Sequence, residues 1–149
     1  MRDALVDDAF VVPEVFVGDG FRLELLGPQH NEADHAAWMS SIEHIRSTPG
    51  FGRGWPPAAG MTPAQNLADL ESHAERSARR VDFAYSVIED VTGDVIGCVY
   101  LKPAVAQGEV DVSSWVSAAR AELDGPLTHV VAAWLREAWP FRAVHYTLR

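Results

Sequence analysis

Four phrases decide the fold: Asp94-Val-Ile-Gly-Cys-Val-Tyr-Leu101, Val110-Asp-Val-Ser-Ser-Trp-Val116, Arg120-Ala-Glu-Leu-Asp-Gly125 and Phe141-Arg-Ala-Val-His-Tyr146. They read in order as strand, strand, loop and, after a helical stretch, strand. The helix between the last two carries Leu127, Val130, Val131, Trp134 and Leu135 at i, i+3, i+4, i+7 and i+8, the spacing of a core-facing stripe. Asp124 is placed to cap it, Pro126 falls in its first turn, and Trp139-Pro140 stops it. A loop that opens a helix after a strand presents free N–H groups and a positive dipole end, which suits a phosphate or pyrophosphate.

Upstream, residues 83–88 and 94–101 read as strands joined by a turn at Thr92-Gly93. Thr62-Pro-Ala-Gln65 is a capping box with Pro at the first helical position. The helix it starts is expected to turn Leu67, Leu70, Ala74 and Ala78 inward. Residues 48–60 are so rich in Gly and Pro that regular structure is excluded. One helix is expected over residues 31–45, with Trp38, Ile42 and Ile45 as its apolar stripe. Residues 15–17 and 21–26 read as a hairpin, and residues 1–13 as a weakly held arm.

The chain has 149 residues, 48% of them hydrophobic, enough for a single domain over 1–149 with a real core. Cys98 is the only cysteine, which excludes an internal disulfide and a cysteine metal cluster. Its 12 basic and 21 acidic residues leave a net charge of −9, which argues against a nucleic-acid partner. No apolar run is long enough to span a bilayer, and the first residues lack the cationic and apolar regions of a secretory signal. The expected location is the cytoplasm.

The order of elements over residues 15–149 resembles the GNAT N-acetyltransferase superfamily. The resemblance is carried by Asp94-Val-Ile-Gly97, by Ser114-Trp-Val116 and by the loop to the long helix. It implies an α/β (α+β) fold: a mixed, mostly antiparallel sheet flanked by helices on both faces. It also implies acetyl transfer from acetyl-coenzyme A to a small-molecule or peptide amine. In the family the pyrophosphate sits on Q/R-x-x-G-x-G/A. Arg120 and Gly125 match its first and last positions, and Leu123 stands at the central glycine. By the same resemblance the backbone of Trp115, Val116 and Ser117 pairs with the pantetheine arm. Family members usually add a helix and two strands after the fifth strand. An open edge along 141–148 would then be covered by residues 11–17 or by a second copy in a homodimer. The alternative function is a non-catalytic GNAT-fold binding or assembly module.

Glu109 is the candidate catalytic base, since some members carry a glutamate at a similar place. Alternation puts Glu109, Asp111, Ser113 and Trp115 on one face of their strand, and polar groups there suggest a wet cleft. The other reading of Glu109 and Asp111 is a solvated strand end. Trp38, His44, Phe51, Arg53 and Trp55 are the candidate acceptor-binding residues; a surface linker is the other reading of the loop that holds Phe51, Arg53 and Trp55. Tyr85, Tyr100 and Tyr146 are candidate acids, or ordinary strand aromatics. His30 and His35 beside Glu32 and Asp34 match no ligand spacing, so no metal is expected.

Overall fold

The computed structural model describes residues 4–149. Six strands form one sheet in sequential order: β1 (Val15–Val17), β2 (Phe21–Leu25), β3 (Phe83–Glu89), β4 (Val95–Pro103), β5 (Glu109–Val116) and β6 (Ala143–Tyr146). All neighbours are antiparallel except β5 and β6, which run parallel. Helices α1 (Asn31–Met39), α2 (Ile42–Arg46) and α3 (Pro63–Ala78) connect β2 to β3, and α4 (Asp124–Ala138) connects β5 to β6.

The alternation within each strand divides two apolar layers. Leu23, Phe83, Tyr85, Val99, Leu101 and Val110 pack with Leu127, Val131, Trp134 and Leu135 of α4. On the other face Ala84, Cys98 and Trp115 pack with Trp38, Ile45 and Leu70 of the first three helices. Helices therefore cover both faces of the sheet, as the resemblance implied.

Gly97 explains its place in the Asp94-Val-Ile-Gly97 phrase. A Cβ there would lie 2.4 Å from the carbonyl oxygen of Trp115 across the strand pair. Next to it the β3–β4 register steps from Val87↔Gly97 to Ile88↔Val95, a bulge at Ile96.

Several local expectations are corrected. The helix expected over 31–45 breaks at Ser40-Ser41. Ser40 Oγ donates to the Ala37 carbonyl, and Ser41 Oγ accepts from Ala118 N–H at 2.8 Å, so both hydroxyls serve the break rather than the helix. The Thr62–Gln65 capping box forms, with N···O distances of 3.1 and 2.9 Å. The inward face of α3 is rotated, however: Asn66, Leu70 and Ser77 are buried, while Leu67 and Ala78 are exposed. Asn66 wins this place because it accepts from Trp38 Nε1 and donates to Asp34 and Asn31.

The described part of the expected arm is packed. Val6 is buried, Leu5 N–H donates to the Arg80 carbonyl, and Phe10 lies 4.9 Å from Trp139. Arg80 ties it down through the carbonyls of Asp7 and Phe10. Residues 1–3 of that arm lie outside the described residues. The last strand is shorter than expected and, among the described residues, pairs only with β5. Residues 15–17 pair with β2 at the far edge of the sheet, so they do not cover β6.

Candidate active site

Residues 48–60 arch over one face of β4 and β5. Gly50, Gly52 and Gly54 all take positive φ, a conformation open to glycine, and that lets the loop fold back on α2 and the sheet. Arg46 anchors it by donating to the Pro56 carbonyl at 2.7 Å. Beneath the loop lies a pocket of about 360 Å³. Phe51, Trp55 and Tyr100 form its aromatic wall, with ring centroids 5.9 to 6.2 Å apart. Ser113 of β5 lies on the floor, and Asp69, His73 and Arg76 of α3 close one side. Arg53 and Lys102 complete the lining.

His73 is fixed in one form. Arg76 Nη2 lies 2.9 Å from its Nδ1, and a guanidinium only donates, so Nδ1 accepts. Burial holds the His73 pKa below its ordinary value, against the pull of Asp69. The neutral ring therefore carries its proton on Nε2, which faces Asp69 Oδ2 at 3.9 Å. Arg76 itself is committed, with Nε 3.1 Å from both oxygens of Asp82.

A second feature adjoins the pocket. Pairing of β5 with β6 runs from Glu109↔Ala143 to Val112↔Tyr146 and stops there. Residues 113–116 keep their β4 partners but, among the described residues, have no strand on the other side. β6 ends at Tyr146, which leaves a notch beside this stretch of β5, and a groove past Asp111, Ser113 and Tyr146 adjoins the aromatic pocket, with which it shares Gly50, Lys102 and Ser113. Tyr146 bridges the mouth of the notch by a hydroxyl–hydroxyl contact with Ser114. Burial pushes its pKa up to about 12, so it stays protonated near neutral pH. Tyr85 donates to the Pro13 carbonyl and Tyr100 accepts from Trp115 Nε1, so both are engaged away from the notch.

The turn between β5 and α4 differs from the expected open loop. Residues Ala118–Leu123 form a 3-10 helix that runs directly into α4. Ala118 and Arg120 N–H groups donate to Ser41 Oγ and the Ser117 carbonyl. Asp124 is the first residue of α4 rather than its cap, and it receives Arg149 Nε at 2.7 Å and Nη2 at 2.9 Å. Arg149 Nη2 also donates to the Ser114 carbonyl, inside the notch. A Cβ on Gly125 would lie 2.9 Å from the Arg149 carbonyl oxygen, so that residue packs against the helix start.

Of the residues singled out from sequence, Phe51, Arg53 and Trp55 converge on the pocket. Trp38 is fully buried behind it, 5.5 Å from Trp55, and His44 lies on α2 outside the lining. Glu109 also lies outside it. Its carboxylate meets His145 Nε2 at 2.7 Å and Arg142 Nη2 at 3.4 Å, and Ser113 is four residues on, about 13 Å along a strand. Asp69, His73, Arg76 and Lys102 were not singled out as acceptor residues. Asp69, His73 and Arg76 fall on successive turns of α3, a spacing that a search for polar residues on one helix face detects.

No protein-family model matches the sequence, and no curated protein matches it. Solved structures do resemble the fold. A ribosomal-protein-S5-alanine acetyltransferase from Vibrio fischeri superposes with a TM-score of 0.67 at 15% identity, over 83% of this chain and 68% of the other. The microcin C7 self-immunity acetyltransferase MccE, in complex with acetyl-CoA and AMP, gives 0.66 at 15% identity, over 87% and 69%. A GCN5-related N-acetyltransferase from Brucella melitensis gives 0.61 at 22% identity, over 87% and 59%. The chain has the GNAT fold.

That fold implies coenzyme A, and the fit divides in two. The free edge of β5 at 113–116 suits an extended pantetheine arm, which pairs as a strand does. At the diphosphate end Arg120 is paired with Glu89, and Arg149 packs over the start of α4, where it donates to the Asp124 carboxylate. The strand edge is thus open to such an arm except at the Ser114 carbonyl, which accepts from Arg149, whereas contacts within the chain occupy the diphosphate end.

Proposed function

We propose that this chain is an N-acetyltransferase that moves an acetyl group from acetyl-coenzyme A to an amine. The observation that supports this reading most is the unpaired edge of β5 at 113–116 beside the aromatic pocket. It provides a strand edge for an extended arm and, at Ser113, a meeting point with a separate acceptor site.

Bound acetyl-coenzyme A would supply an activated thioester. Trp115, Val116 and Ser117 would hold its arm through backbone groups, with Arg120 and the turn to Gly125 at the diphosphate end. The pocket residues orient the amine. Its ammonium proton passes to Asp69, the carboxylate that lines the pocket. The amine nitrogen so placed would bond to the acyl carbon as the carbon–sulfur bond breaks. Tyr146, held protonated by burial, would give its proton to the departing sulfur and regain one from the amine nitrogen, which sheds its second proton as the amide forms. Glu109, the sequence-based candidate, keeps β5 and β6 in register through His145 and Arg142 in this reading. The outer edge of β6 has no strand partner among the described residues, which supports a homodimer, checked by light scattering.

Calorimetry with acetyl-coenzyme A tests the proposal. Saturable binding at micromolar to submillimolar concentration supports it. A folded protein that takes up no coenzyme at millimolar concentration overturns it in favour of a binding or assembly module.

A further inference from the structure

Resting on the acetyltransferase reading for the word acceptor, we propose that the amine bound in the aromatic pocket also carries an acidic group, carboxylate or phosphate, held by Arg53 and Lys102. The chain bears a net charge of −9, yet this pocket gathers Arg53, Arg76 and Lys102 against the single carboxylate of Asp69. Arg76 is neutralised by Asp82. Arg53 and Lys102 are not: among the described residues neither has a carboxylate within 4.0 Å. The nearest acid to Lys102 in the sheet is its cross-strand neighbour Asp111, which is exposed and forms no ion pair with it.

Two ring N–H groups belong to the same lining, and that of His73 is turned to Asp69. His73 is held as the Nε2–H form by Arg76, so it offers a hydrogen rather than a lone pair. Trp55, part of the aromatic wall, has a buried Nε1 without a hydrogen-bond partner. A site of aromatic rings with two unpaired cations recognises oxygen acceptors on a flat or apolar body. A simple hydrophobic amine would leave these donors unanswered, and a polycation would be repelled.

The test uses the whole chain without any acyl donor. Tyramine, L-tyrosine and tyramine phosphate are titrated by calorimetry. The expected result is that L-tyrosine, tyramine phosphate or both bind at least tenfold more tightly than tyramine, with the preference shrinking as salt rises. Which of the two leads assigns carboxylate or phosphate. The double variant Arg53→Gln, Lys102→Gln, checked for an unchanged circular dichroism spectrum, should bring all three ligands within about twofold of one another. Tyramine binding as tightly as both acids, a preference that survives the double variant, or no binding of any probe at millimolar concentration overturns the proposal. The acetyl-coenzyme A titration is separate. If it fails while the acid preference holds, the acetyltransferase reading falls and the pocket assignment stands.

Discussion

The guanidinium of Arg120 lies flat against the carboxylate of Glu89, with Nε and Nη2 each 2.9 Å from a different oxygen. The pair joins the 3-10 helix before α4 to the end of β3, and Thr92 Oγ1 adds a third bond to the same carboxylate. Arg120 is the one cation that the loop motif supplies for a diphosphate. Its charge is spent inside the protein unless an anion competes for it.

Replacing Glu89 by Gln should therefore strengthen coenzyme A binding severalfold, measured by calorimetry at low salt. The same variant has an acid signature. Arg120 first, then Thr92, hold the Glu89 carboxyl below its ordinary value of 4.5. A carboxyl depressed in the folded state stabilises the fold above its unfolded pKa and loses that contribution as pH falls through the folded value. Thermal midpoints of the wild type should drop more steeply below pH 4.5 than those of Glu89→Gln. Equal coenzyme affinity in both proteins would remove Arg120 from the diphosphate site.

Asp34 behaves in the opposite sense. Burial beneath α3 raises its pKa from 3.8 to about 6, and the hydrogen bond from Asn66 only partly offsets this. The folded protein then holds a proton that the unfolded chain has released. Stability should fall as pH rises from about 4 to 6, by at most about 3 kcal/mol, because one bound proton is worth ~1.4 kcal/mol for each pH unit crossed. Asp34→Asn should flatten this slope in urea unfolding series. A slope of the same size in the variant would place its origin elsewhere.

The sheet, its two faces and the α4 stripe were legible because strand and helix periods are local properties of the sequence. The break at Ser40-Ser41 was not, since it depends on Ala118, a partner 77 residues away. The inward turn of Asn66 was hidden for the same reason: a hydropathy pattern assigns amides to the surface, and only Trp38 and Asp34 together make its burial favourable. The aromatic loop announced half of the pocket through Phe51, Arg53 and Trp55. The α3 half was missed because its apolar stripe was read before its polar one. Leu123 flagged an altered loop, but the ion pairs that engage Arg120 and Asp124 come from Glu89 and Arg149, distant in sequence.

The two carboxylates considered for proton transfer make separable predictions. Asp69→Asn should lower kcat at least tenfold, near the low end of general-base effects, while acetyl-coenzyme A affinity stays within about twofold. Glu109→Gln should leave kcat within threefold and instead lower the thermal midpoint, because it weakens the hydrogen bond with His145 and loses the ion pair with Arg142 at the β5–β6 start. The reverse pattern, a large kcat loss in Glu109→Gln alone, would return the base to Glu109 acting through water.

Arg149 provides the sharpest test of the notch. Its side chain lies between Asp124 and the Ser114 carbonyl, and its own carbonyl packs at Gly125, so one residue touches both ends of the expected coenzyme path. If these contacts compete with the coenzyme, Arg149→Ala frees the Ser114 carbonyl and leaves Asp124 unpaired at a helix start, where the dipole still favours it. The variant should lose some stability, about 1–3 kcal/mol for hydrogen bonds to a charged partner, and bind coenzyme A more tightly. Leu123→Gly should act in the same direction by letting the backbone approach the diphosphate, at the expense of added chain entropy. The two changes touch different groups, so their effects on affinity should add within about 0.5 kcal/mol. Weaker binding in Arg149→Ala would mean that its guanidinium holds the coenzyme rather than excluding it. Binding unchanged in both variants would mean that the coenzyme does not follow this path between β5 and α4.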